Sequence, residues 1–253
     1  MSGRLTVVGI GPGDARYRTP EAEDALAAAD ALYGYAPYLD RLPTRQNQAR
    51  CPSNNRKERA RARSALQHAA EGTCVALVSG GDPGVFAMAA AVCEEIEAGP
   101  VAWRSLDVSV VPGVTAMLAV AARIGAPLGH DFCALSLSDN LKPWELIERR
   151  LDAAARAEFV IALYNPMSRA RPRQLGMAFE RLRKYLPPTT PVVFGRAVGR
   201  PDEQVSVTTL AMAEDSADMA TLVIVGSPQT RVIVRPGRSP LVYTPRAAQG
   251  RPA

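Results

Sequence analysis

Three glycine-rich stretches, Gly9-Ile10-Gly11-Pro12-Gly13-Asp14, Ser79-Gly80-Gly81-Asp82-Pro83 and Val111-Pro112-Gly113-Val114-Thr115-Ala116, each close a run of apolar residues. Glycine has no Cβ and lets backbone approach a bound molecule closely, and open α/β sheets bind ligands beyond the carboxyl ends of their strands. Taken singly, each stretch reads as an ordinary turn. Their recurrence at one point of the strand-to-helix cycle instead predicts an α/β protein with three backbones cleared for one ligand.

The rest of the chain fits that rhythm. Leu5–Ile10, Ala31–Tyr33, Cys74–Ser79 and Val108–Val111 read as strands, with helices near 19–29, 56–70, 84–98 and 115–124. Thr19-Pro20-Glu21 is a helix start, with Thr at N-cap and Pro at N1. The later candidate strands, near 132–137, 159–163, 192–194, 204–207, 221–225 and 231–234, are in several places too close for helical crossovers. A mixed sheet with antiparallel pairs is therefore expected there. The division that follows is an N-terminal α/β domain over 1–114, a helix and connection over 115–130, a C-terminal α/β domain over 131–236 and a tail over 237–253, fraying or extended.

Composition narrows the chemistry. Hydrophobic residues make up 47% and charged ones 22%, which is globular. Cys51, Cys74, Cys93 and Cys133 are scattered without Cys-x-x-Cys spacing, and His68 and His130 are the two histidines, so no metal site is expected. Little histidine-based acid–base catalysis is available. No run is long or apolar enough for a membrane span, and the first residues lack a secretory signal, which predicts a cytoplasmic protein. Of 30 basic residues all but Lys57, Lys142 and Lys184 are arginine, and the net charge is +5. Codon bias accounts for much of that total. Clusters at Arg56–Arg63 and at Arg169, Arg171 and Arg173 say more: with aromatics at 6%, they suit an anionic, carboxylate-rich small molecule rather than nucleic acid. A dinucleotide site is excluded as well. Gly9, Gly11 and Asp14 break G-x-G-x-x-G, and no acid follows the second strand.

With Tyr164-Asn165-Pro166 added in order and spacing, the glycine stretches resemble the S-adenosylmethionine-dependent tetrapyrrole methylases over roughly residues 4 to 236. A second set of motifs, Ser53-Asn54-Asn55-Arg56, Gly81 through Ala89, Ser136 with Asp139 through Trp144, and Tyr164 through Arg169, is similar to one subgroup. That subgroup methylates C17 of a reduced tetrapyrrole in cobalamin biosynthesis and contracts its ring. Asn54-Asn55 departs from the Asp-Asn more usual there. The resemblance implies two α/β domains, a parallel-rich N-terminal sheet and a mixed C-terminal sheet, an active site in the interdomain cleft, and a homodimer.

It also implies residue roles. Pro12, Gly80, Gly81, Asp82, Val85, Thr115, Ala116, Asn165 and Ala197, with Thr221 and Leu222 close by, would line S-adenosyl-L-methionine, whose product is S-adenosyl-L-homocysteine. Asp82 has a rival reading as N-cap of the helix after Pro83. Arg56 and Arg169 are the first choices for the carboxylates of a polycarboxylate tetrapyrrole. A sulfonium is already an activated leaving group, so alignment supplies most of methyl transfer. Ring contraction does need proton movements, for which Asp14, Glu58, Asp139 and Tyr164 are candidates, each with a rival reading as cap or solvated loop residue.

Overall fold

Leu5, Val7 and Val8 have no exposed surface, the pattern of a strand covered on both faces. The computed structural model, which describes residues 3–214 and 216–247, places them in the first of two compact units, one ending at Thr115 and the other starting at Ala116.

The first unit runs β1 (Arg4–Gly9), α1 (Pro20–Ala28), β2 (Ala31–Tyr35), α2 (Ala36–Leu39), β3 (Ala49–Ser53), α3 (Glu58–Ala70), β4 (Cys74–Ser79), α4 (Met88–Ala98) and β5 (Asp107–Val111). All five strands are parallel, in the order β3-β2-β4-β1-β5. Leu5, Val7, Val75 and Leu77 pack with Ala62, Ala65 and Leu66 of α3 and Met88 and Val92 of α4. Val8, Leu32, Ala76 and Val78 pack with Ala22 and Leu26 of α1 and Leu39 of α2. The Thr19 hydroxyl accepts from the Ala22 N–H, as the capping motif predicts.

Sequence reading missed β3. Its residues, Ala-Arg-Cys-Pro-Ser, lack an apolar run, but it is an edge strand, where proline is tolerated. The helix expected from Gly84 starts at Met88, because Phe86 takes a positive φ of 53° that no helix accommodates.

Glu95 on α4 has a side chain only 1% exposed and bonds Arg59 Nε at 2.6 Å and Arg63 Nε at 2.8 Å, both on α3. The bond from Arg63, seconded by Arg59, outweighs burial and holds its carboxyl below the ordinary 4.5. A depressed carboxyl stabilises the fold above its ordinary pKa and loses that contribution as pH falls through the folded value. Glu95→Gln should therefore lower Tm at pH 7 and narrow the difference from the parent below about pH 4, as thermal melts across pH would show.

The second unit runs α5 (Ala116–Ile124), β6 (Gly125–Ala126), β7 (Phe132–Ser136), α6 (Trp144–Arg156), β8 (Val160–Tyr164), α7 (Gln174–Leu182), β9 (Pro191–Arg196), β10 (Gln204–Thr209), β11 (Thr221–Val225), β12 (Arg231–Arg235) and β13 (Arg238–Tyr243). Its main sheet, β10-β9-β11-β8-β7, is mixed as expected: β7 and β8 are parallel and the other pairs antiparallel. Helices α6 and α7 cover one face with Ile147, Leu151, Leu175, Phe179 and Leu182.

The start of the tail takes the extended of the two forms expected for it. Residues Arg238–Tyr243 form a strand pairing β12 antiparallel and β6 parallel, so the stretch after residue 124 carries a short strand as well as a connection. The end of the tail, 248–253, lies outside the described residues. Among the described residues no helix is long and apolar enough to cross a membrane.

Candidate active site

In a parallel sheet every strand delivers its carboxyl end to one edge. In the first unit that edge carries the loops after Gly9, Tyr35, Ser53, Ser79 and Val111. The glycines there mostly admit one another. Gly11 and Gly81 form a two-bond bridge, 3.2 and 2.8 Å, both with positive φ. A Cβ on Gly113 would stand 2.3 Å from the Gly81 carbonyl oxygen. Gly80 faces the ring of Tyr38, so its missing Cβ makes room for that side chain.

Gly81 is different. A Cβ there would meet nothing closer than Thr115 Cα at 3.8 Å, leaving open space bounded by Thr115 and the Val114 carbonyl. This open glycine, on a backbone pinned by its neighbours, fits the close approach of a cofactor with polar groups.

Asp82 joins two loops. Its Oδ1 accepts from Gly84 N at 2.8 Å and its Oδ2 from Gly113 N at 3.1 Å. Helix α4 starts six residues later, so the N-cap reading fails and a link between loops replaces it. Pro12 offers its carbonyl to Arg41 at 3.4 Å, Arg41 stacks over Tyr38 at 4.9 Å, and Val85 N–H reaches the Asp82 carbonyl at 3.3 Å. Thr115 is buried.

Asp14 caps the short 3₁₀ turn Ala15–Tyr17, accepting from the Arg16 N–H at 2.8 Å. That N–H, and then the Arg16 guanidinium, hold its carboxyl below the ordinary 3.8, which makes it a poor proton carrier near neutrality. Glu58 opens α3 and accepts from the backbone N–H of Arg56 at 3.2 Å; Arg56 is exposed, at φ 61°.

In the second unit the carboxyl ends of β7, β8 and β9 and the start of β11 share one edge. Ser136, Tyr164, Asn165, Ala197 and Thr221 stand there, and Leu222 is buried one residue further along β11. Asn165 and Ala197 both take the left-handed conformation, φ 52° and 51°. Asn165 Nδ2 donates to Ser136 Oγ at 3.0 Å, while its carbonyl accepts from Arg171 at 3.4 Å. The Thr221 hydroxyl is committed to Asp218 at 2.8 Å, so its free contribution is backbone. Burial alone would raise the Asp218 carboxyl, but bonds from Thr221, Arg196 and Ala220 N–H together hold it below 3.8.

Ala116 is the first residue of α5, and the next N–H, of Met117, donates to the Tyr164 hydroxyl at 3.2 Å. Asp139 accepts from Gln174 at 3.0 Å and lies 3.9 Å from Arg171 Nε. Arg169 is exposed.

Alanine in the left-handed region is disfavoured by about 1–2 kcal/mol, and such strain persists where the surroundings impose it. Ala197→Gly should raise stability by about 0.5–1 kcal/mol after the entropy that glycine loses on folding, measurable by urea titration.

Two arginines of the basic clusters, Arg61 and Arg171, are buried, which the sequence reading did not foresee. Arg171 binds the carbonyls of Leu137 and Asn165 from within the second unit. Arg61 shares the inward face of α3 with Ala62, Ala65, Leu66 and Ala69, so its helical spacing was the available signal. Arg59 and Arg63, from the same basic cluster, are held by Glu95. Among the described residues no three His, Cys, Asp or Glu side chains are grouped to hold a metal ion.

Comparison with known proteins places this geometry in a family. The model of the Tetrapyrrole (Corrin/Porphyrin) Methylases matches residues 4–214. The chain belongs to this family. Among tetrapyrrole methylases it is 64% identical, over 251 residues and 99% of both chains, to a Sinorhizobium sp protein named precorrin-3B C(17)-methyltransferase. It is 42% identical to a Salmonella typhimurium protein named probable cobalt-factor III C(17)-methyltransferase, over 96% of this chain and 98% of that one. The crystal structure of the methyltransferase CobJ superposes with a TM-score of 0.92 at 49% identity, covering 96% of this chain and all of that one. A cobalt precorrin-4 methyltransferase, at 21% identity and a TM-score of 0.68 over 88% of this chain and 94% of that one, shares the fold.

Proposed function

We propose that this chain transfers a methyl group from S-adenosyl-L-methionine to C17 of precorrin-3B, with ring contraction to precorrin-4, in cobalamin biosynthesis. The observation that carries this reading is the 64% identity, over 99% of both chains, with the Sinorhizobium precorrin-3B C(17)-methyltransferase. We assign Pro12, Gly80, Gly81, Asp82, Val85, Thr115, Ala116, Asn165, Ala197, Thr221 and Leu222 to the cofactor. When bound, the cofactor supplies an activated methyl group on a sulfonium and leaves as S-adenosyl-L-homocysteine.

The chain's own part is alignment. The open face of Gly81 admits close approach, Asp82 keeps two loops in register, and the backbone at Asn165 and Ala197 is held in a single conformation. Exposed Arg56 and Arg169 suit substrate carboxylates. Of the four proton-carrier candidates Asp139 is the best placed: Gln174 orients it, and its side chain keeps 31% of its surface open. The Asp14 carboxylate caps the 3₁₀ turn, Glu58 accepts from the Arg56 N–H at the start of α3, and the Tyr164 hydroxyl accepts from the Met117 N–H and keeps its own proton to donate. A homodimer in the cytoplasm completes the proposal.

A second reading, a cobalt-loaded substrate, is favoured by the Salmonella relative, at a lower identity than the Sinorhizobium one. Mass spectrometry separates the two. Incubated with S-adenosyl-L-methionine and metal-free precorrin-3B, the protein should yield a product with one added methyl group and a contracted macrocycle. Turnover only of the cobalt-loaded counterpart would overturn the first reading.

A further inference from the structure

Arg61 is 6% exposed, and its partners are all neutral: Nε donates to Ser53 Oγ at 2.6 Å, Nη2 to the Asn54 carbonyl at 2.9 Å and Nη1 to Met88 Sδ at 3.4 Å. Among the described residues no carboxylate pairs with it. The nearby buried acid, Glu95, is taken by Arg59 and Arg63, whose side chains are about two-thirds exposed. The fold therefore pairs with an acid the two arginines that water already solvates and leaves the buried one without an ion pair, Glu58 reaching it through its field alone. Burying a charge without a counter-charge is strongly unfavourable, and a guanidinium cannot escape by losing its proton.

Holding the loop does not explain the charge. A neutral amide could serve Ser53 Oγ and the Asn54 carbonyl, whereas a guanidinium has five N–H donors for these three acceptors. Its charged surroundings are mixed, with Arg56 and Lys57 on the loop and the carboxylate of Glu58 beside them. The N-cap of α3 is Lys57, which makes no side-chain cap bond, and Arg56 and Lys57 stand exposed on the same loop. The loop lies at the carboxyl end of β3, on the edge that carries the Gly81 loop. The phenols of Tyr38 and Tyr35 and the carboxylate of Glu58 are the acidic groups whose fields reach Arg61, and Glu58 is already bonded to the Arg56 N–H.

We propose that the loop Ser53–Lys57 binds a carboxylate of the ligand and that Arg61 is its buried counter-charge, fixing the loop and supplying the charge from beneath. This rests on the polycarboxylate tetrapyrrole reading for the identity of the ligand, though not for the anion site itself.

The test uses Arg61→Gln, Arg61→Lys and, as a surface-charge control, Arg59→Ala. Two probes are titrated at low and moderate salt: uroporphyrin, followed by fluorescence quenching, and benzenehexacarboxylate, followed by calorimetry. S-adenosyl-L-homocysteine affinity and thermal melts are measured alongside. Arg61→Gln should weaken binding of both anions about tenfold or more and flatten the salt dependence, with cofactor affinity within twofold of the parent. Arg61→Lys should recover most of the loss, and Arg59→Ala should change anion affinity by less than threefold. Equal loss in the Gln and Lys variants, or loss of cofactor and anion together, would make Arg61 a structural clamp and overturn the proposal. Porphyrin binding indifferent to position 61 overturns it while leaving the tetrapyrrole reading intact. Benzenehexacarboxylate binding that depends on Arg61, with no porphyrin binding by the parent, keeps the anion site and sinks the tetrapyrrole reading. A parent that binds neither anion overturns the site.

Discussion

Gly81→Ala should reduce affinity for S-adenosyl-L-homocysteine at least a hundredfold, about 2.7 kcal/mol, while the protein remains folded. The added methyl meets no protein atom closer than 3.8 Å, so within the chain its cost is that of placing alanine at φ +66°. That penalty is about 1–2 kcal/mol, a fall in Tm of roughly 3–6 °C for a chain of this size. If the cofactor occupies the open space over Gly81, the methyl collides with it and with nothing else. Calorimetry and a thermal melt on the same sample separate the two effects. An affinity within threefold of the parent would reduce Gly81 to a turn residue.

Gly113→Ala reverses the balance. Its Cβ would lie 2.3 Å from the Gly81 carbonyl oxygen and 2.9 Å from the Gly9 carbonyl carbon, both backbone atoms that no rotamer change can move aside. Overpacking of this kind costs about 1–3 kcal/mol, and displacing the loop also removes the Gly113 N–H from Asp82, so a loss of about 3 kcal/mol is expected. Urea titration should show it, with cofactor affinity falling in parallel because the Gly81 loop is displaced. A loss below about 1 kcal/mol would mean that the three loops separate easily and do not form one rigid floor.

Much of the candidate site was legible before any coordinates. The glycine runs announce themselves because a chain can bring backbone against backbone only where Cβ is missing, and their place at strand ends follows from apolar periodicity. What each glycine clears space for was not legible. Gly80 accommodates Tyr38, Gly113 accommodates Gly81, and Gly81 alone among the three faces open space. Nothing local distinguishes these cases, since the deciding atoms are about 30 to 40 residues away in the chain.

The same limit explains the other differences. β3 carries Arg50 and Pro52 and lacks a strand's usual pattern; its pairing with β2 makes it one. β13 forms because β12 and β6 flank it, so residues 238–243 are a paired strand where composition alone left fraying and an extended segment both open. Asp82 before Pro83 has the local form of a helix cap, yet its second oxygen is claimed by Gly113, 31 positions on.

By itself the sequence determined the alternation of strands and helices, the parallel first sheet and mixed second sheet, the positions of the glycine-rich loops and the family. These rest on short-range periodicity, turn chemistry and motif order. The tertiary structure alone decided which charges form ion pairs: Arg59 and Arg63 with Glu95, Asp139 with Arg171, and Arg61 with no acid. Charge compensation depends on distances of 3–4 Å between side chains far apart in the chain, and such distances exist only once the sheets and helices have packed.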